Sequence, residues 1–221
     1  MLLRNALRSG VLVMTLCSAS PVIFAQKGMD LININGQLVI AARAGNVDRV
    51  AKLLAEGASV NSRDRNGDSP LNTAASKGDV ALVEVLLQAN PDINLANLSG
   101  VTPLMGATFS ANAQIVRKLL AAKARIEPLD RVKKNAATYA AANGCTECLA
   151  ELLRAGTQVN AALENDLSLL MWAAAYGHQD AVRILLTAGA DKGMKDKRGK
   201  TASEMAAEGG HASVVALLAK P

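Results

Sequence analysis

The sequence predicts an all-α solenoid of stacked helix–turn–helix units, about six in number, in place of a single globular core. Three observations carry this expectation. A period of 33 residues runs through most of the chain. Half of the 221 residues are hydrophobic, yet only 2% are aromatic. Each period also holds start and stop motifs for two short helices.

Four independent series share the period. Leu53-Leu54 recurs as Leu86-Leu87, Leu119-Leu120, Leu152-Leu153 and Leu185-Leu186, and Leu218-Ala219 takes the same places in a sixth copy. Gly45, Gly78, Gly144, Gly177 and Gly210 form a second register, with Ala111 in the remaining slot. Ser69-Pro70, Thr102-Pro103, Ser168-Leu169 and Thr201-Ala202 form a third, and Gly57, Asn90, Lys123, Gly156 and Gly189 a fourth. Composition agrees, because 41 alanines and 30 leucines supply apolar bulk in small pieces that suit closely packed helices. A globule of this size would usually fill its centre with large rings. The charged share of 19% beside so apolar a chain excludes wholesale disorder, and three cysteines are too few for a disulfide scaffold.

The second unit shows how each element arises. Ser69 can cap a first helix, and Pro70 suits its first position, where a missing N–H costs nothing. Ala74 and Ala75 leave room for a neighbouring helix, and Gly78 can end the helix in a left-handed conformation. Val80, Leu82, Val83, Leu86 and Leu87 then give a second helix with an apolar stripe, which Asn90 closes. One such unit cannot bury its stripe; a stack buries a continuous core.

These residues resemble the ankyrin repeat in period and in the motif Thr-Pro-Leu-His-x-Ala, most clearly at Ser69-Pro70-Leu71-Asn72-Thr73-Ala74 and at Met171-Trp172-Ala173-Ala174. The resemblance covers 31–221 and divides it into repeats at 31–63, 64–96, 97–129, 130–162, 163–195 and a shortened 196–221. It implies a short hairpin tip projecting at each repeat junction. Some positions depart from the pattern. The first repeat lacks the Thr-Pro start and the sixth stops after its second helix, as terminal caps would. The motif's histidine slot holds Val39, Asn72, Met105, Thr138, Met171 and Glu204, so its hydrogen bonds must be weakened or replaced. In the fourth repeat Lys133 takes the turn glycine's place and Asn135-Ala136-Ala137 replaces Thr-Pro-Leu, which leads us to expect a distorted or mobile hairpin.

The amino-terminal 25 residues lie outside the repeats. Arg4 and Arg8 precede the apolar run Val11–Leu16, and Ala25 follows Phe24, the parts of a cleavable secretory signal peptide. Cleavage between Ala25 and Gln26 would leave a short lead, 26–30, before the repeats, and would place the chain in the periplasm or outside the cell. The rival, an uncleaved anchor, has too short an apolar stretch to span a bilayer, and Pro21 interrupts it. Without the two basic residues of 1–25, 22 basic residues face 19 acidic ones, a net charge of +3. So mild an excess gives little reason to expect nucleic-acid binding.

Catalytic chemistry finds no support in the residues. The two histidines, His178 and His211, both follow the inter-helix glycine and read as turn-fixing groups. Asp64, Asp130 and Asp196 recur at the turn and read as turn formers. No phosphate-cradling glycine loop, catalytic triad or metal set is present in the pattern, and no cofactor is called for. One pair stands apart: Cys145 and Cys148 at the start of a helix. That layout lowers a thiol pKa in redox enzymes, so a thiol–disulfide role is the alternative function. Structural thiols or a passive local disulfide are the competing reading, since helix geometry brings the two within bridging distance.

The expected activity is therefore protein binding without catalysis, because ankyrin-like solenoids usually bind proteins through their tips and the inner face of the first helices. Carried over by position, the tip residues are Arg65, Asn66 and Asp68, then Leu98 and Val101, Arg131 and Lys134, Glu164 and Leu167, and Lys197, Arg198 and Lys200. The helical slots add Lys77, Phe109, Asn143 and Tyr176. Basic residues concentrate in the fourth and sixth tips, which implies a protein partner with an acidic, partly apolar epitope. Leu98, Val101 and Leu167 are expected to be exposed beside Phe109 and Tyr176, while Tyr139 and Trp172 are expected to pack between repeats.

Overall fold

A computed structural model describes residues 34–220. The segment 1–25 and the lead 26–30 fall outside the described residues. Helix α1 includes residues 34–44 and is followed by α2 (Val47–Ala55). Four further pairs repeat the pattern: α3 (Pro70–Lys77) with α4 (Val80–Gln88), α5 (Pro103–Phe109) with α6 (Ala113–Ala121), α7 (Ala136–Ala142) with α8 (Thr146–Arg154), and α9 (Leu169–Ala175) with α10 (Gln179–Thr187). The last pair is α11 (Ala202–Glu208) and α12 (Ala212–Leu218). The described residues contain no strand, only helices and the turns between them.

Neighbouring first helices pack on one another along one layer, and second helices along the other. The sequence signals act as expected. Ser69, Thr102, Ser168 and Thr201 each accept a backbone N–H three residues on and cap their helices. Leu53, Leu86, Leu119, Leu152 and Leu185 are fully buried, so the recurring leucine is the spine of the core. First helices pack more closely on one another than second helices do. The tightest approach is at Gly106, where a Cβ would stand 2.4 Å from the Ser76 hydroxyl.

The histidines staple adjacent repeats. His178 Nε2 lies 2.8 Å from the Ala142 carbonyl, and His211 Nε2 lies 3.1 Å from that of Ala175. A side chain at Gly144 would collide with the His178 ring, 2.5 Å from the position of its Cβ. The missing motif histidines are replaced piecemeal. Asn72 reaches the next repeat through Val101 O at 3.0 Å, while Thr138 and Glu204 turn back to their own caps, Asn135 and Thr201.

The fourth hairpin is not distorted, contrary to the sequence expectation. Its turn closes through Asp130 N to Lys134 O at 2.9 Å, as the second closes through Asp64 N to Asp68 O at 3.0 Å. Lys133 adopts the glycine's left-handed conformation, φ 58°. The fifth hairpin closes in the same way, Leu163 N to Leu167 O at 3.1 Å, but its tip departs: Glu164–Asp166 form a short 3-10 turn with Asn165 and Asp166 both at φ 60°.

Candidate interaction surface

Three of the tips are each built on one carboxylate. Asp64 accepts the N–H groups of Asn66 and Asp68, Asp130 those of Val132 and Lys134, and Asp196 those of Arg198 and Lys200. Asn97 does the same in the third tip with Ser99 and Val101. Partial burial pushes the Asp64 carboxyl up, but the Asp68 N–H, Arg43 and the Asn66 N–H outweigh it and hold it below its usual value. Asp196 is lowered likewise, with desolvation outweighed by the Lys200 N–H and by Arg198. Leu163 occupies this slot in the fifth tip and has no side-chain acceptor to offer, which accounts for its different turn.

Adjacent tips are tied by main-chain bonds: Leu98 N to Asn66 O at 2.9 Å, Arg131 N to Ser99 O at 2.9 Å, and Lys197 N to Asn165 O at 3.1 Å. No equivalent bond joins the fourth and fifth tips among the described residues. An opening of about 150 Å³ lies there instead, lined by Val132, Lys133, Lys134, Leu163, Leu167 and Trp172 among others. A larger hollow of about 920 Å³ sits at the opposite end of the array against Val39, Ile40 and Arg43, with no aromatic lining it.

All four aromatic residues after Phe24 form one row across three repeats. Phe109 meets Tyr139 edge to face at 6.2 Å between centroids, and Trp172 stacks on Tyr176 at 6.1 Å. The Lys134 ammonium bridges the two pairs, 4.4 Å from the Trp172 centroid and 5.8 Å from that of Tyr139. Phe109 is 63% exposed and Tyr176 55%, so the ends of the row face solvent. Tyr139 and Trp172 are half-buried and do touch the core, but they also form the middle of the row. The Tyr139 hydroxyl donates to Asp130 Oδ2. Burial, and then the Asp130 carboxylate, raises the Tyr139 phenol well above its usual range.

Other expected site residues separate into groups. Lys134, Asn143, Leu167 and Tyr176 join the row or its margin, Asn143 Nδ2 donating to Phe109 O at 3.2 Å. Arg65, Asn66, Arg131, Glu164 and Lys197 are exposed on their tips, and Leu98 is exposed as expected. Val101 and Leu167 are not exposed: both are half-buried and packed against the core, because tip closure turns them inward. Four polar members are engaged internally. Asp68 accepts from Asn97, Lys77 donates to Arg43 O, Arg198 pairs with Asp196, and Lys200 pairs with Glu208. Val132, in the fourth tip beside Arg131, is 62% exposed. Leu163 escaped the sequence reading; the break in the Asp64, Asp130, Asp196 series at residue 163 is the available clue.

Cys145 and Cys148 are joined as a disulfide, with the Cys148 sulfur fully buried and Cys145 nearly so. Cys145 Sγ also accepts the Cys148 N–H as the cap of α8. Burial of both sulfurs gives a working redox pair no support, since such a pair needs an accessible thiolate. Among the described residues no cluster of metal-ligating side chains occurs, and no helix is long and apolar enough to cross a membrane.

The chain belongs to the ankyrin repeat family. The family model matches in three copies, at residues 38–131, 115–196 and 137–221. Among solved structures, the crystal structure of EF0377, an ankyrin repeat protein, superposes with a TM-score of 0.76 at 27% identity, over 84% of this chain and 97% of that one. No curated protein matches. Ankyrin repeats are in general protein–protein interaction modules, and proteins built from them are typically non-enzymatic.

Proposed function

We propose that this chain is a non-catalytic protein-binding scaffold of the cell envelope, holding its partner against the first-helix face and the hairpin tips. The aromatic row carries the reading. Stacking is already supplied by leucine and alanine, so rings at Phe109 and Tyr176 are not needed for the core, whereas aromatic residues dominate interface energetics. Basic side chains at Arg131, Lys133 and Lys134, and again at Lys197 and Arg198, favour a partner with an acidic and partly apolar epitope. Periplasmic or secreted location rests on the basic start, short apolar run and Ala25 of the amino-terminal segment.

Affinity capture from the envelope of the producing cell tests the reading. Replacing Phe109 and Tyr176 together with alanine is expected to abolish capture of the specific partner while leaving the helical circular dichroism unchanged. Capture that survives the double replacement contradicts it.

A further inference from the structure

We propose that the opening between the fourth and fifth tips is a receptor for one glutamate side chain of the partner, its methylene groups against the apolar wall and its carboxylate on the lysine. Lys134 is its carboxylate anchor and Trp172 its apolar floor. The assignment rests on the protein-binding reading above and narrows it to a ligand chemistry.

An internal comparison points to the missing carboxylate. Lys134 and Lys200 occupy the same slot two repeats apart. Lys200 pairs with Glu208, eight residues on, within its own repeat. The matching position after Lys134 is Ala142, and Lys134 makes no ion pair among the described residues. Lys134 is a half-buried residue whose ammonium lies instead over the indole of Trp172, 4.4 Å from the ring centroid. A partly desolvated cation without an anion is a receptor for one, and the ring holds it in place beforehand.

The backbone supplies the space. Leu163, standing where the other tips have Asp or Asn, leaves the fifth turn altered, and the main-chain bond that ties other neighbouring tips is missing. The resulting volume of about 150 Å³ is below the roughly 300–1,000 Å³ of small-molecule sites, so it suits a side chain. Leu163, Leu167 and Trp172 make one wall apolar, and Lys133 adds a second cation at the lip. Glu164 on the fifth tip also lines the opening, so the two lysines and this one carboxylate leave a single net positive charge, which one incoming carboxylate neutralises.

Trp172 is the only tryptophan of the chain, so its fluorescence reports occupancy directly. The probes are the peptides acetyl-Gly-Leu-Glu-Leu-Gly-amide and its counterpart with Gln for Glu, titrated into the intact protein. The Glu peptide is expected to give a saturable change and to bind about tenfold more tightly than the Gln peptide, with the difference shrinking as salt is raised. Lys134→Met should erase that preference. Ala142→Glu, which supplies from within the carboxylate that Glu208 gives Lys200, should block the Glu peptide. Equal binding of the two peptides, no saturable change at millimolar concentration, or a preference that persists in Lys134→Met overturns the proposal. Because the Glu–Gln comparison is made on the unaltered protein, it stands even where a variant misfolds. Partner capture that needs Phe109 and Tyr176 but ignores Lys134→Met would sink the receptor alone. A Glu preference beside capture that survives loss of both rings would sink the broader surface alone.

Discussion

The fourth and fifth hairpin tips are neighbours with the same length and different turns. Both lack the turn glycine, having Lys133 and Asp166 in its slot, each at positive φ. The fourth keeps Asp130 and a turn like that of the second; the fifth has Leu163 and folds into a 3-10 turn. The lesson is that a side-chain acceptor in this slot, a carboxylate or at Asn97 an amide, sets the conformation of the tip more than the glycine does. One aspartate satisfying two N–H groups outweighs the strain of a left-handed lysine, which is on the order of 1 kcal/mol.

Removing that carboxylate should have the largest effect. Asp130→Ala strands the N–H groups of Val132 and Lys134 and the Tyr139 hydroxyl, and is expected to cost about 2–4 kcal/mol in urea unfolding. It should also convert the fourth tip to a turn unlike that of the second, visible in backbone chemical shifts. A smaller effect of opposite sign is expected from Lys133→Gly, which relieves the positive φ and should stabilise by about 1 kcal/mol. If Lys133→Gly destabilised the protein, strain at that position would not be the relevant term. Acid should produce the smallest effect. Asp64 and Asp196 have lowered carboxyl values, so their contribution is present above the ordinary value of 3.8 and is lost as pH falls through their folded values. Amide protection at Asn66, Asp68, Arg198 and Lys200 should therefore fall on acidification relative to that in the fifth tip, which has no such carboxylate.

The fold was readable because its signals are local and repeated. Leucine spacing, Ser/Thr caps and inter-helix glycines each act within one turn of helix, and the 33-residue period sets them in register. Surface detail was readable only in part. Phe109 and Tyr176 were identifiable from their slots, but Tyr139 and Trp172 were assigned to packing alone. Trp172 and Tyr176 stand four residues apart on one helix, and Tyr139 and Trp172 one period apart, so the row was present as spacing. Its closure through Lys134 depends on a tertiary contact between tip and helix that no local pattern specifies. The regular fourth tip is hidden in the sequence for the same reason: Lys133 shows there as a missing glycine, and the two N–H bonds that Asp130 accepts appear only in the fold.

Hydrogen exchange of the chain with and without its captured partner tests the assignment of the binding face most directly. Protection is expected to rise in α5, α7 and α9 and in the fourth and fifth tips, with α6, α8 and α10 unchanged. Protection confined to the second-helix layer, or to the first repeat around Ile40, would contradict it.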